Sequence, residues 1–321
     1  MDLVKIKAFD IFLYRLPLRP LKIGKRMLKV REGLVVRLRD EKGRTGFGEI
    51  APLPGFSRES LAGAIKETRK LRNRLLGKEI SESFIHHGLL SVSFGIGTAL
   101  CGLTSKKIAQ KIPVSGLLQG NKSQIVREAK LLVKKGIRTL KIKVGSGSLK
   151  QDVEKVVAVK GAVGRHVRLR LDANRAWSLE KAAAFVRAIG RRQIEYIEEP
   201  LKNSSALAAF FAKTKMSFAL DETLRDLNPI RFHPPKGLCA IVLKPTLLGM
   251  DKTFRWIRLA KRKQIKTVIS SSFESGLGIS ALADIAFHVS PKTPAGLDTQ
   301  KWFKRDVYKK GKLNYRLLRK I

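Results

Sequence analysis

The sequence predicts an α/β protein in which a (β/α) barrel follows a smaller α+β region. Three observations lead to this prediction. The first 50 residues alternate polar and apolar side chains as half-buried strands do, and helical periodicity follows them. From about residue 113, strand-like and helical segments alternate seven or eight times. Charged or hydroxyl side chains end most of these strands, as they do at the catalytic face of a barrel.

The N-terminal region is predicted to contain antiparallel strands followed by two helices. Its strands cover 4–16, 33–40 and 45–52, and its helices cover 57–76 and 91–109. The segment DEKGRTG between the last two strands has the composition of a hairpin turn. Ser57 is the predicted N-cap of the first helix, because a serine hydroxyl can accept a hydrogen bond from the first turn.

The second region reads as repeated strand–helix units. Its predicted strands cover 114–118, 138–145, 167–174, 194–200, 217–222, 239–245 and 266–272, and its helices cover 122–135, 149–162, 178–189, 204–213, 250–262 and 277–288. A short final element covers 295–299. So many units in a row favour a closed barrel, while an open doubly wound sheet, built from the same units, remains the alternative.

These patterns divide the chain into two predicted domains. Residues 1–110 form an α+β domain and residues 111–299 form the barrel domain. The closing segment, 300–321, does not continue the strand–helix alternation. We expect it to pack back on the N-terminal domain.

The composition is strongly basic. Among 321 residues, 66 are Lys or Arg and 26 are Asp or Glu, which gives a net charge of +40. The cations are spread along the chain, and RNP1, helix-turn-helix and Cys/His zinc patterns are absent. We therefore expect a basic surface that attracts anionic substrates, with nucleic-acid binding as a remote alternative.

The hydropathy pattern predicts a cytoplasmic protein without membrane contact. No apolar run reaches the roughly 20 residues that cross a bilayer, and no apolar leader precedes the first strand. Cys101 and Cys239 lie far apart in apolar contexts, so we expect both to be buried thiols, as in a reducing compartment.

Charged and hydroxyl side chains follow one another at the ends of the predicted barrel strands. They are Lys141 and Lys143 on the second strand, Asp172 on the third, Glu198 and Glu199 on the fourth, Asp221 and Glu222 on the fifth, Lys244 on the sixth, and Ser270, Ser271 and Ser272 on the seventh. From Lys143 to Lys244 the successive spacings are 23 to 29 residues, one βα repeat each. We therefore expect these side chains on neighbouring strands at similar height.

Three of these carboxylates, Asp172, Glu198 and Asp221, converge in the predicted barrel mouth. Their charges repel one another unless a cation lies between them. Oxygen donors without a nearby Cys or His suit a hard ion such as Mg²⁺. Asn174 lies two residues after Asp172 on the same side of the strand and is a candidate outer partner. The alternative is that these acids form structural salt bridges with the many lysines.

The lysines of the same set predict proton transfer. Lys141 and Lys143 are two residues apart on one strand, so both project to the same face. Two such close ammonium groups lower the pKa of one of them, which makes a candidate general base. Lys244 lies four strands further round, on the opposite wall of an eight-stranded barrel. A metal ion flanked by opposed lysines suits removal of a proton α to a carboxylate.

The motifs that carry this set resemble those of the enolase superfamily, in its muconate-lactonising subgroup. They are KIK (141–143), LDANRAW (171–177), IEEP (197–200), LDET (220–223), VLKPT (242–246), ISSSFESGLG (269–278) and GLD (296–298). Within that subgroup, LKVREGLVVRL (28–38), GFGEIAPLPGFSRES (46–60) and LSVSFGIGTAL (90–100) are similar to the o-succinylbenzoate synthase family of menaquinone biosynthesis. The resemblance covers nearly the whole chain.

The resemblance implies a modified (β/α)7β TIM-type barrel with a capping domain, and a role for each site residue. It implies Mg²⁺, with Mn²⁺ as an alternative ion, on Asp172, Glu198 and Asp221, with Asn174, Glu199 and Glu222 as outer neighbours. Lys143 would be the acid/base, Lys244 the opposed cation, and Lys141 the residue that tunes Lys143. Ser270 and Gly296 match positions that hold the succinyl carboxylate. Arg170, which faces inward with Asp172 by the i, i+2 rule, is a candidate for orienting substrate.

The reaction implied is dehydration of 2-succinyl-6-hydroxy-2,4-cyclohexadiene-1-carboxylate, a small dicarboxylate, by a monomer or weak oligomer without a nucleic-acid partner. An N-acylamino acid racemase or dipeptide epimerase is the alternative, since opposed lysines can act on both faces of a carbanion. For the epimerases we would expect a DxD motif where this chain has Gly296-Leu297-Asp298. The basic loop 20–30, with Gly24, is a candidate lid over the barrel mouth.

Overall fold

The computed structural model describes residues 3–23, 26–81, 84, 86–104 and 111–321. This part of the chain forms a five-stranded antiparallel sheet, a seven-stranded parallel sheet and a small two-stranded hairpin. Gly24, in the predicted lid, lies outside the described residues. Lys25 also lies outside them, and residues 20–23 and 26–30 belong to two long strands that pair with each other, not to a loop.

The strands, in chain order, are β1 (Leu3–Ile23), β2 (Arg26–Asp40), β3 (Thr45–Ile50), β4 (Glu79–Ser81), β5 (Gly116–Leu118), β6 (Thr139–Lys143), β7 (Arg168–Asp172), β8 (Ile194–Glu198), β9 (Phe218–Leu220), β10 (Leu238–Leu243), β11 (Lys266–Ile269), β12 (Tyr308–Lys309), β13 (Lys312–Leu313) and β14 (Leu318–Lys320). The helices are α1 (Leu61–Leu75), α2 (Leu90–Thr104), α3 (Lys122–Lys134), α4 (Leu149–Val163), α5 (Leu179–Ile189), α6 (Leu207–Thr214), α7 (Pro245–Leu248), α8 (Met250–Arg262) and α9 (Gly276–Val289).

The antiparallel sheet has the order β14-β1-β2-β3, and β4 pairs with the beginning of β1. The chain terminus thus returns to the first strand, where Lys320 lies opposite Phe12. Helix α2 packs so closely on β3 that glycine is required there: a Cβ on Gly48 would lie 1.8 Å from the Gly95 carbonyl oxygen. This contact encloses an apolar core that includes Val36, Leu38 and Ile96.

The parallel sheet has the order β11-β10-β9-β8-β7-β6-β5. Residues 295–296 join its two edges, because Ala295 bridges to Val114 just before β5 and Gly296 bridges to Ser270 just after β11. Backbone hydrogen bonds from Ser115 N to Ala295 O (2.9 Å) and from Gly296 N to Ile269 O (2.8 Å) fix this closure. The sheet is therefore a barrel with a short eighth member, which confirms the predicted fold class and rules out the open sheet.

Helix starts are set by polar caps that bond the first turn. Asn121 and Ser148 form capping boxes with Gln124 and Gln151 at α3 and α4. The predicted cap at Ser57 is wrong: its hydroxyl accepts from Leu53 N at 2.8 Å and closes a turn, and Ser60 caps α1 instead. The helix begins at Leu61 because residues 53–57 are occupied by that turn.

The two cysteines are less buried than the sequence predicts. Cys101 is exposed, because α2 turns Ile96, Ala99 and Leu103 inward and presents the cysteine to the outside. Cys239 is half-buried, and burial raises the pKa of its thiol to about 11.

Helix α2 ends at Thr104, and the rest of the predicted helix lies outside the described residues. Within the described ranges no helix is both long and apolar enough to cross a membrane.

Candidate active site

A cavity open to solvent lies at the carboxyl ends of the barrel strands. Its charged floor comes from the barrel and includes Lys143, Asp172 and Lys244. Part of its opposite side comes from the antiparallel sheet and the loop after it, through Ile23 and Leu53. Both domains therefore build this cavity.

Strand register brings the predicted site residues together. Lys143 on β6 pairs with Asp172 on β7, and Asp172 pairs in turn with Glu198 on β8. These three residues lie at one level, as their spacing predicted. Lys244 directly follows β10, four strands from β6 in the sheet order. It lines the same cavity as Lys143 from another wall.

Lysine ammonium groups contact the three carboxylates. Lys141 Nζ lies 2.9 Å from Asp172 Oδ2 and 2.8 Å from both carboxylate oxygens of Glu198. Lys244 Nζ contacts Asp221 Oδ2. The carboxylates are withdrawn from water, with 2% exposure for Asp172, 1% for Glu198 and 5% for Asp221.

Burial and mutual repulsion perturb these groups strongly. Burial and the charges of Asp172 and Asp221 raise the pKa of Glu198 well above its usual range. Burial also opposes ionisation of Asp172, but the Lys141 and Lys143 charges outweigh it and lower its pKa to about 2. Burial and repulsion thus oppose the negative charge of Glu198, whereas the two lysines favour that of Asp172.

The expected lowering of a lysine pKa does not occur at Lys141. Burial alone would lower the pKa of its ammonium, but the charges of Asp172 and Glu198 raise it well above the usual value. The same balance raises the pKa of Lys244, since Asp221 and Glu222 outweigh burial. Both lysines are therefore fixed cations of the floor in this arrangement.

A hydrogen-bonded chain leads from Glu222 to Lys143. Asn174 Nδ2 donates to Glu222 Oε1 at 2.8 Å, and Lys143 Nζ donates to Asn174 Oδ1 at 3.4 Å. All three residues line the cavity. Burial and the Asp221 charge raise the pKa of Glu222 to about 7. Asn174 therefore orients the ammonium of Lys143 within the cavity.

Glu199 supports the site from below and does not line the cavity. Its Oε1 accepts hydrogen bonds from Asp221 N at 2.8 Å and Thr223 N at 2.7 Å, and its Oε2 accepts from the Thr223 hydroxyl at 2.7 Å. These bonds fix the turn that presents Asp221. Its backbone is left-handed, with φ of 44°, a conformation that a non-glycine residue keeps only where surrounding contacts hold it.

Arg170 does not line the cavity, so the structure does not place it where it could orient substrate. Its Nε donates to Glu195 Oε2 at 2.8 Å and its Nη1 donates to the Pro294 carbonyl at 2.7 Å. The guanidinium also lies over the ring of Tyr196. Residues i and i+2 share a barrel's inner face but lie in successive layers, so Arg170 occupies the layer beneath Asp172.

Ser270 and Gly296 meet at the barrel closure and both line the cavity. The Ser270 hydroxyl donates to the Gly296 carbonyl at 3.3 Å. A Cβ on residue 296 would lie 2.6 Å from the Ser270 Oγ. Glycine at this position therefore keeps the serine hydroxyl accessible to the cavity.

Sequence reasoning missed two charged residues of the antiparallel sheet that reach the barrel. Glu49 accepts from Ser275 N at 2.9 Å and Gly278 N at 2.8 Å, at the start of α9. Arg31 donates to the Phe273 carbonyl at 2.9 Å. The sequence feature that could have revealed them is a charged side chain at an inward position of an otherwise apolar strand.

The donor chemistry fits a hard divalent cation. Asp172, Glu198 and Asp221 are buried carboxylates at the ends of successive strands, and Glu222 Oε2 is buried with no hydrogen-bond partner among the described residues. As the side chains lie, no three carboxylate, imidazole or thiol groups in the described residues converge closely enough to hold one ion. Lys141 and Lys244 hold these carboxylates instead, so a metal would have to compete with their ammonium groups.

Comparisons with known proteins match both domains. The family described as MenC, N-terminal domain, matches residues 6–103, and the family described as enolase C-terminal domain-like matches residues 124–316. An o-succinylbenzoate synthase from Klebsiella pneumoniae is 35% identical over 300 residues, which cover 92% of this chain and 91% of that protein.

Solved structures of other proteins resemble this chain over nearly its whole length. An o-succinylbenzoate synthase from Thermosynechococcus elongatus, complexed with Mg in the active site, is 26% identical with a TM-score of 0.77, over 92% of this chain and 93% of that one. The L-Ala-D/L-Glu epimerase from Bacillus subtilis has a TM-score of 0.82 at 22% identity, over 95% and 93% of the two chains. The second likeness shows a shared fold alone.

Proposed function

This chain belongs to the o-succinylbenzoate synthase family of the enolase superfamily, and from that membership we propose that it is a carbon–oxygen hydro-lyase of menaquinone biosynthesis. The proposed reaction converts 2-succinyl-6-hydroxy-2,4-cyclohexadiene-1-carboxylate to o-succinylbenzoate and water. The observation that carries the proposal is a single cavity in which Lys143 and Lys244 stand on different walls around the buried carboxylates.

We propose that Asp172, Glu198 and Asp221 hold Mg²⁺, with Mn²⁺ as an alternative ion. The support is the donor set and the Mg in the Thermosynechococcus elongatus relative. When bound, the ion would supply electrostatic stabilisation of the negative charge that develops on the substrate carboxylate. Glu199 and Glu222 would support the ligands, since Glu199 fixes the Asp221 turn and Glu222 holds Asn174.

Proton transfer is assigned to Lys143. In its neutral form, Nζ would take the proton from the ring carbon that bears the carboxylate, and the same Nζ would return a proton to the hydroxyl that leaves the neighbouring carbon as water. The elimination leaves an aromatic ring, which provides its driving force. Asn174 keeps Nζ pointing into the cavity through the 3.4 Å contact. Lys141, between Asp172 and Glu198, would tune Lys143 by its fixed charge.

The remaining residues would bind and orient. Lys244 offers a permanent positive charge on another wall, where it would stabilise the carbanion formed as the proton leaves. Ser270 and Gly296 lie at the barrel closure, where the serine hydroxyl and backbone would hold the succinyl carboxylate. Because Arg170 is paired beneath the floor, it has no direct role in this assignment.

The test follows loss of the cyclohexadiene absorbance with Mg²⁺ present, in wild type, Lys143→Ala and Asp172→Asn. We expect turnover by wild type and a fall in kcat of at least about 100-fold in Lys143→Ala, as for removal of a general acid/base. Lys122→Met is the control and should retain turnover, because the exposed Lys122 pairs with Glu154 and neither residue lines the cavity. Racemisation of N-succinylamino acids by wild type without any dehydration would overturn the assignment.

The substrate is a dicarboxylate, so we propose that the basic surface serves small anions and not nucleic acid. The support is that three buried carboxylates at one barrel mouth, Asp172, Glu198 and Asp221, have no use in a nucleic-acid site. Tight, salt-sensitive nucleic-acid binding at physiological ionic strength would contradict it. The expectations of a cytoplasmic location and of a monomer or weak oligomer stay predictions.

A further inference from the structure

Arg31 is a buried cation whose hydrogen bonds go to backbone carbonyls of both domains. It lies on β2 and is 1% exposed. Its Nε donates to the Phe273 carbonyl in the barrel at 2.9 Å. Its Nη1 donates to Pro52 O at 2.8 Å and its Nη2 donates to Ala51 O at 2.5 Å, both in the loop after β3. One planar guanidinium thus joins two segments that approach the cavity from different domains.

Both segments continue directly into the apolar part of the cavity. Leu53 follows Pro52, and Phe273 is itself the residue whose carbonyl Arg31 holds. These side chains pack in one apolar cluster with Ile23, Leu247 and Trp302, which includes residues of both domains. We call Leu53 and Phe273 the apolar wall of the cavity.

The backbone at Phe273 requires such an anchor. Its φ is 59°, in the left-handed region, which a non-glycine residue keeps only where surrounding contacts hold it. The preceding residue, Ser272, donates from its backbone N to Glu274 Oε2 at 2.6 Å. Arg31 donates to the carbonyl of Phe273 itself. The strained peptide is therefore clamped from the barrel on one side and from β2 on the other.

Cohesion of the two domains does not depend on Arg31 alone. Glu49 binds the start of α9 through three hydrogen bonds, and Tyr14 donates to Glu49 at 2.5 Å. Burying a cation costs desolvation free energy, so holding the domains together does not by itself explain an arginine at this position. Its specific contribution is the fixed fork of five donors, which sets the distance and angle between the segments it binds.

From this geometry we propose that Arg31 is a positioning residue that holds Leu53 and Phe273 in place as the apolar wall, and so sets the affinity for the ring of the substrate. The ligand class is a cyclic, largely apolar body carrying carboxylates. The inference rests on the proposed function for the identity of that ligand. The wall contacts the ring before and during the reaction, so its loss should weaken binding more than it slows chemistry.

The experiment compares wild type, Arg31→Met and Arg31→Lys, with Arg37→Met as matched control. Arg37 lies on the same strand, but its guanidinium pairs with Asp10 on β1, outside the cavity. For each variant we would measure KM and kcat, the inhibition constant of o-succinylbenzoate, and acrylamide quenching of tryptophan. Trp177 and Trp256 are fully buried, so quenching reports Trp302, whose ring meets Phe273 edge-on at 5.8 Å.

We expect Arg31→Met to raise KM and the inhibition constant about 10- to 100-fold, as for lost apolar pocket contacts, with kcat changed less and Trp302 more readily quenched. Arg31→Lys should fall between wild type and Arg31→Met, because an ammonium keeps the charge but lacks the fork. If Arg31→Met does not fold, Arg31→Lys decides. Wild-type KM and quenching in Arg31→Lys, or equal changes in Arg37→Met, would overturn the proposal.

The two proposals fail differently. If wild type does not dehydrate the cyclohexadiene, the proposed function is wrong, and so is the identity of the ring that the apolar wall binds. Increased Trp302 quenching in both Arg31 variants, but not in Arg37→Met, would still establish the positioning role. Unchanged quenching in both would refute it whatever wild type catalyses.

Discussion

At the scale of single residues, the site is governed by how its carboxylates are neutralised. Lys141 lies within hydrogen-bonding distance of both Asp172 and Glu198, and the Lys141 ammonium is itself mostly buried. Removing one partner of a buried ion pair leaves the other charges uncompensated, which costs far more than the pair gains. The lysine is therefore needed for stability wherever no other cation compensates these acids.

This balance predicts a linked effect of Lys141 and Mg²⁺ on stability. Lys141→Met should lower the free energy of unfolding by about 3 kcal/mol in buffer with chelator, the cost of breaking a buried pair. Added Mg²⁺ should recover much of that loss, since a divalent ion on the same carboxylates replaces the missing charge and stabilises the folded state by binding it. Urea unfolding with and without Mg²⁺ measures both quantities. An equal loss under both conditions would count against a metal at these carboxylates.

At the scale of elements, the last strand is held to the first by charge as well as by backbone pairing. Asp10 on β1 accepts two hydrogen bonds from Arg37 on β2 and pairs with Lys320 on β14 at 2.5 Å. Burial opposes ionisation of Asp10, but these two cations outweigh it and lower the pKa of its carboxyl. One carboxylate thus links three strands of the antiparallel sheet.

The lowered pKa of Asp10 predicts a pH-dependent contribution to stability. A carboxyl with a folded-state pKa below its unfolded value stabilises the protein above the unfolded pKa and ceases to do so as pH falls through the folded pKa. Asp10→Asn should therefore cost about 1 kcal/mol at pH 7, and the difference from wild type should shrink as pH falls below about 4. Thermal unfolding of both proteins between pH 3 and 7 checks this. A constant difference across that range would show that the charge is not the cause.

At the scale of the whole molecule, the repeat length explains how much could be predicted. Lys143, Asp172 and Glu198 each end a strand of one βα unit, so their spacing alone placed them at one level of a closed barrel. Contacts between segments far apart in the chain follow no regular spacing, so the spacing could not predict them. Arg31 and Phe273 are 242 positions apart, and Glu49 and Ser275 are 226 apart. Arg170 was misplaced because period two gives the face of a strand but not the layer within the barrel.

The net charge of +40 leads to a last prediction about the whole surface. A dianionic substrate approaching a strongly basic protein is attracted over a Debye length, about 10 Å at 0.1 M salt and about 30 Å at 0.01 M. Raising NaCl from 10 to 300 mM should therefore lower kcat/KM several-fold through KM, while kcat stays nearly constant because the buried floor is screened much less. Steady-state kinetics across this range, with sucrose added to separate viscosity from salt, tests the effect. A salt-independent KM would mean that the positive charge serves something other than substrate capture.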